Sequence, residues 1–242
     1  MIPLHDANPT RRRAVVTVVL ILLNVGVFLF VQRGSDASFE VEWAAIPCEI
    51  RQGEPLSGAE VVATFRDGDT ESCGARGDPA EVFPGKHVWA AVVVSMFLHG
   101  GWLHLGGNML FLWVFGNNVE DRLGRLLYIA FYLGGGIVAT LGHVLANSQS
   151  TVPVVGASGA IAAVMGAYLV WWPNVPIKSA VFVVIVFFAE IRAKWLLGIW
   201  FVLQFFTSDN AGVAWVAHVV GFAFGALVAL ALRRPERGRL AA

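Results

Sequence analysis

An all-α polytopic membrane fold with six spans is what this sequence predicts, on three observations: its composition, its uncharged apolar runs and its one-sided Lys and Arg. The 242 residues are 57% hydrophobic and only 14% charged, with a mean hydropathy of +0.66. Soluble domains carry about 25% charged residues and about 45–50% apolar ones, so this chain has too few charges to cover a water-soluble surface. Its formal net charge is zero, which provides no basic field to attract nucleic acid. Nine Trp suit the aromatic belts of membrane interfaces. The lipid bilayer is therefore the first partner expected.

Ala14–Val31 is an uncharged apolar run long enough to cross a hydrocarbon core of about 30 Å. It lacks a small-x-small cleavage site and is followed by more hydrophobic chain, so it reads as the first span. Residues 1–13 read as a cytoplasmic segment. Further spans fall at Trp102–Val119, Leu126–Ala146, Ser158–Trp172, Lys194–Phe206 and Val213–Leu232. Helix is expected for each, because isolated strands leave backbone polar groups unpaired in lipid. Val88–Leu98 is cut from the second span by His99, Gly100 and Gly101. Joined, the two would run about 48 Å at 1.5 Å per residue, too long for one crossing. Val88–Leu98 thus reads as a partly embedded interfacial segment. Ala180–Ala189 is too short to span and reads as re-entrant or as an extension of the fifth helix.

Charge orients the bundle. With both termini cytoplasmic, the inner side carries Arg11, Arg12, Arg13, Arg122, Arg125, Lys178, Arg192, Lys194 and the basic tail at 233–242. The short outer loops Asn147–Val155 and Thr207–Gly212 carry no Lys or Arg, as the positive-inside rule requires. A seventh span at Ala180–Ala189 would put the basic tail outside. The membrane domain then covers 14–232, with a long external loop at 32–86 rich in Gly, Asp and Glu. That loop holds both cysteines, Cys48 and Cys73. An oxidising exterior allows a disulfide between them, and two unpaired thiols in a mobile loop are the other reading.

Ionisable and strongly polar residues within spans are costly and commonly functional. Four matter here: His104, Asn108, Ser158 and His218. The second, fourth and sixth spans run from outside to inside, so all four lie at one level near the outer face. His104 and Asn108 are i and i+4 and share a helix face. Ser158 lies in Gly156-Ala157-Ser158-Gly159, where the glycines allow tight turning. Gly159, Ala163 and Gly166 form a small-residue stripe on the fourth helix, and Gly221 and Gly225 form a GxxxG stripe on the sixth. Such stripes let membrane helices approach closely, which would bring the Ser158 hydroxyl beside the His218 ring. A histidine can take the proton that makes serine a nucleophile. The Asn108 amide, the His104 ring and the Ser158 backbone N–H could stabilise the charge that then builds on oxygen. No Asp or Glu lies in the outer half of these spans, so a dyad is expected. One serine in a span ordinarily serves packing, and one His or Asn ordinarily ties helices together. The set at a common depth fits either catalysis or polar-ligand binding. His99 reads as a cap or interface anchor, and His143 as a hydrated group at a helix end. With no HExxH helix and no acidic partner near the histidines, no metal and no cofactor is expected.

The same residues resemble the prokaryotic rhomboid family of intramembrane serine proteases. The resemblance runs through Ile2-Pro3-Leu4 and Asn8-Pro9-Thr10, Phe97-Leu98-His99 through His104 to Asn108, Gly116 through Glu120 to Gly124, Gly156-Ala157-Ser158-Gly159, and Ala217-His218 with Gly221 and Gly225. It implies a six-helix rhomboid-like bundle, with Ser158 as nucleophile, His218 as base and His104 and Asn108 at the oxyanion. It implies single-span membrane proteins as substrates, cut near the outer face of the cell membrane. The chain departs from the family at Ala162, where some members carry an aromatic ring that stacks on the histidine. It also departs in the length of its outer loop and in lacking a Trp-Arg pair there. A catalytically inactive rhomboid-like binding module is the alternative, although such proteins typically lack a catalytic residue. A channel or transporter would need polar residues through the full thickness, whereas the inner halves of these spans read as apolar.

Overall fold

The computed structural model describes residues 1–32, 37–182, 186–207 and 214–233. Helix α1 (Val15–Gly26) continues as a π-helical turn to Gln32. Its first N–H groups have no partner within the helix, and a carboxylate supplies one. Glu120 accepts from Val16 N (2.9 Å), Thr17 N (2.8 Å) and Thr17 Oγ1 (2.8 Å), while Asp121 accepts from Arg11 N and Arg12 N. Both acids lie on α6 (Trp102–Leu123), so the start of α1 is docked on the far end of that helix. Gly124, with φ +78°, turns α6 directly into α7 (Arg125–Ala146). Helices α8 (Ser158–Trp171), α9 (Ala193–Gln204) and α10 (Trp215–Ala231) complete the bundle.

Small residues determine how α8 and α10 cross. A Cβ at Gly225 would lie 2.5 Å from Ala163 C, one at Gly166 2.9 Å from Phe222 C, and one at Gly221 3.1 Å from Gly159 C. Backbone therefore touches backbone along the crossing, which any side chain would prevent. Ala160, Ala162, Ala163, Ala167 and Tyr168 are buried around it.

Val15–Gln32 and Arg125–Ala146 are each long and apolar enough to cross a membrane. The segment containing α5 (Val88–Val94), extended by a 3₁₀ turn to Phe97, is bent 78° from α6, so the two are not one straight rod. Helices α8, α9 and α10 are apolar but shorter.

Several expectations need correcting. The fold is not purely helical: β1 (Ile2–Asp6), β2 (Pro176–Phe182) and β3 (Val186–Arg192) form an antiparallel sheet in the order β1-β2-β3. Ala180–Ala189, where described, lies in β2 (residues 180–182) and β3 (residues 186–189), neither a re-entrant helix nor part of α9. Its run of Val and Phe favours a pleated surface, and β1, from the segment 1–13, supplies the partner an isolated hairpin lacks. The end of the bundle beside this sheet is also not wholly apolar. Buried Asp6 accepts from Asn118 Nδ2 and Tyr168 OH, both at 2.7 Å, so the polar groups there satisfy one another.

Residues 37–86 are not a bare loop. They form a cap containing α2 (Ala37–Trp43), α3 (Pro47–Gln52) and α4 (Gly58–Phe65). Pro47 opens α3, Gly53 closes it in the left-handed region, and Ser57 with Glu60 forms a capping box on α4. Cys48 and Cys73 are joined as a disulfide. Lys86 pairs with Glu49 at 2.5 Å, both nearly inaccessible; burial pushes the Glu49 carboxyl up and the Lys86 ammonium down, against their mutual attraction. The cap is stitched to the segment before α8 by Val154 N to Ala45 O (2.8 Å) and Cys48 N to Ser150 O (2.9 Å). That segment leads straight to Ser158.

Candidate active site

Ser158 is the first residue of α8. The turn before it needs Gly156, whose φ is +123° and whose N–H donates to Ser95 O. A Cβ at Gly156 would lie 2.7 Å from His104 Nε2 and 3.6 Å from Ser158 Oγ. The missing side chain is what lets His104 and Ser158 face a common space. Standing at a helix start, Ser158 also leaves its own N–H without an intrahelical partner.

His218 lies one turn into α10, and its Nε2 is 2.8 Å from Ser158 Oγ. The α8–α10 crossing thus joins two residues 60 apart in sequence. His104 and Asn108 share the inward face of α6. Gly100 N–H donates to His104 Nδ1 at 3.3 Å, which leaves the ring proton on Nε2, the atom turned toward Gly156. Asn108 is 7% exposed, and its Nδ2 is buried with no hydrogen-bond partner among the described residues. Ser158, His218, His104 and Asn108 all line one cavity of about 910 Å³. The cap closes over one side of it, contributing Glu40 and Glu71.

Other positions differ from the sequence reading. His99 is neither a cap nor an interface anchor; it is fully buried, its backbone clamped by the Gln32 amide (2.6 and 3.0 Å) and its ring edge-on to His104 at 5.2 Å. It braces His104 from behind. His143 is half-buried beside Asn147 and lines the cavity. Ala162, fully buried, offers no ring to His218. Trp200 of α9 lies there instead, its ring centroid 5.8 Å from that of His218. Gln204, at the end of α9, places Oε1 2.7 Å from His218 Nδ1. Sequence reasoning missed Trp200 by looking for the ring only at Ala162, and Gln204 by looking only for a carboxylate. The available signal was a Gln inside an apolar helix, 14 residues before the histidine.

Apolar helices packed around a serine–histidine pair that lines a cavity define a helical membrane protein with a polar site in its bundle. Residues 86–235, more than half of the chain, match the Rhomboid domain family model. The chain belongs to the rhomboid family. It is similar to presenilin-associated rhomboid-like protein A, mitochondrial, of Danio rerio, at 32% identity over 139 residues, 55% of this chain and 35% of that protein. It is similar to rhomboid protease GluP of Bacillus subtilis (strain 168), at 28% over 170 residues, 70% of this chain and 31% of that protein. Putative rhomboid protease YdcA of the same organism is 33% identical over 81 residues, 34% of this chain and 40% of that protein. The chain spans well under half the length of each of these relatives.

Proposed function

We propose that this protein is an intramembrane serine endopeptidase that cuts single-span membrane proteins near the outer face of the cell membrane. The observation that carries the reading is the 2.8 Å contact between Ser158 Oγ and His218 Nε2. In the proposed reaction, Ser158 Oγ attacks the scissile carbonyl carbon as its proton passes to His218 Nε2. The negative charge on the carbonyl oxygen is met by Asn108 Nδ2, His104 Nε2–H and the Ser158 N–H. Collapse expels the amine, which takes the proton from Nε2 and leaves an acyl-enzyme on Ser158. Water, deprotonated by the same nitrogen, then releases the new carboxyl terminus. The unpartnered Asn108 amide supports the oxyanion role, since a buried donor left empty in the resting site costs free energy that the reacting oxygen would recover.

The proposal includes six spans, formed by α1 through Gln32, α6, α7, α8, α9 and α10, with both termini cytoplasmic and the cap outside. Gly156, Gly159, Gly221 and Gly225 act by holding α8, α10 and His104 at this spacing. The substrates are transmembrane proteins, and the chemistry described uses the chain's own groups and water. The test is cleavage of a single-span substrate by purified protein in detergent. Ser158→Ala and His218→Ala are each expected to abolish cleavage while melting as the wild type does, and a serine-directed fluorophosphonate is expected to modify Ser158. Full activity in either variant would overturn the mechanism. Absence of cleavage and labelling in the wild type would leave the inactive binding module as the reading.

A further inference from the structure

We infer that Gln204 is a positioning residue for the base: it selects the tautomer of His218 that can accept the Ser158 proton. The inference rests on the protease reading above and adds a third member to its dyad. An amide side chain has one end that donates and one that accepts. The Gln204 Nε2 end donates to Trp200 O at 3.0 Å. A carbonyl only accepts, so that bond settles which end of the amide faces which way. The Oε1 end therefore points to His218 Nδ1, 2.7 Å away. Oxygen of an amide cannot donate, so Nδ1 must carry the hydrogen. In the neutral ring, Nε2 is then bare, and it is Nε2 that lies 2.8 Å from Ser158 Oγ. The opposite tautomer would aim an N–H at the serine oxygen and could not take its proton.

Burial reinforces the arrangement. Gln204 is 8% exposed, so losing its partner would leave a polar group unsatisfied in an apolar helix. Trp200, one turn earlier, both accepts the Gln204 amide proton and lies against the His218 ring. Helix α9 thus holds the ring by an edge and by a face. Among the described residues no carboxylate hydrogen-bonds the ring, and the other titratable groups lining the cavity are His104 on α6, His143 on α7 and Glu40 and Glu71 of the cap. The amide supplies direction without a counter-charge. When His218 takes the proton, the Nδ1–H bond to the amide oxygen strengthens with the ring's charge.

Acceptor and volume can be separated by substitution. Gln204→Leu keeps the bulk and removes the acceptor; Gln204→Met does the same with a different shape. Gln204→Glu keeps an oxygen at the same reach in either protonation state. The expected result is a loss of about 10²-fold in kcat for Leu and Met, the scale set by a base held out of line, with KM unchanged. Glu is expected to keep most of the activity. Wild-type kcat in a folded Leu or Met variant, or equal losses in Leu, Met and Glu, would overturn the inference. Fluorophosphonate labelling of Ser158 keeps the two readings apart. If wild-type Ser158 does not label, both fall. If it labels, and the Leu and Met variants label at the wild-type rate, only the role of Gln204 falls.

Discussion

Replacing Gly225 with Ala places a methyl group where α8 and α10 touch backbone to backbone. The new carbon would stand 2.5 Å from Ala163 C and 2.7 Å from Ala163 Cα. Non-bonded carbons settle at about 3.5–4.0 Å, so the crossing must open by about 1 Å. Both surfaces there are main chain and cannot swing aside as a side-chain end would. Ala163 lies little more than a turn from Ser158, and Gly225 two turns from His218. If half of the opening reaches the pair, its 2.8 Å contact passes beyond the hydrogen-bond range of about 3.2 Å. A misplacement of about 1 Å can cost about 10²-fold in rate, so a shift of half that is expected to cost about 10-fold. Overpacking costs about 1–3 kcal/mol, offset in part by the helix propensity of Ala over Gly, about 1 kcal/mol. The expected signature is therefore a large fall in kcat with a small fall in melting temperature, measured on one detergent preparation. Gly26→Ala, where the added carbon meets nothing within 4 Å, is the control and is expected to be silent. Wild-type turnover in the Gly225 variant would refute the claim that this crossing sets the Ser158–His218 distance.

Asn108→Ala is expected to lower kcat by about 10²–10³-fold with KM little changed, since the charge it meets exists only in the transition state; a lowered melting temperature with intact kcat would make Asn108 a helix tie instead. His104→Ala is expected to lose as much or less, because several donors share that charge. Tags at both termini should be protected in intact cells and a tag at Gly68 accessible, whereas a C-terminal tag exposed with Gly68 would refute the even number of spans. The cap should loosen in acid. Burial pushes the Glu60 carboxyl up, but bonds from Gly74 N–H, Ser57 N–H, Gln52 Nε2 and Ser57 Oγ outweigh it and hold it below its ordinary 4.5. Stability from such a group is complete above the unfolded value and lost as pH falls through the folded one. Hydrogen exchange in α4, corrected for intrinsic rates, should therefore rise below that window in the wild type and lose this pH dependence in Glu60→Gln; equal protection above and below would count against it.

How much was legible depends on how long each signal ran. The apolar runs Trp102–Val119 and Leu126–Ala146 place α6 and α7 to within four residues, because uncharged runs that long have few alternatives. The sheet was not, since Val186, Phe187 and Phe188 suit a strand only if β1 lies beside β2, and nothing local announces a partner from another part of the chain. The cap helices have 6–8 residues, too short for periodicity. Their punctuation was nonetheless present: Pro47 and Gly53 bracket α3, and Ser57 with Glu60 marks the start of α4. Ser158, His218, His104 and Asn108 stand out in the sequence as rare polar groups in apolar runs, and all four line one cavity. Gln204 carried the same signal, a polar group within an apolar run, but only Asp or Glu is sought as a partner for His218 in the sequence.

The sheet has a consequence for biogenesis. Ile2 pairs with Ala180 and Asp6 with Ile177, and Asp6 also receives the Tyr168 hydroxyl. Strand β1 therefore leaves the ribosome long before anything it binds exists. During synthesis it waits through α1, the cap, α5 and the bundle helices α6, α7 and α8. Only when the β2 hairpin emerges can it pair, and the buried Asp6 close on Asn118 and Tyr168. A strand made before α1 is thus fixed only after α8 has been made, so it acts as a latch between early and late parts of the chain. A fusion placed before it would have to leave its backbone free until the hairpin arrives.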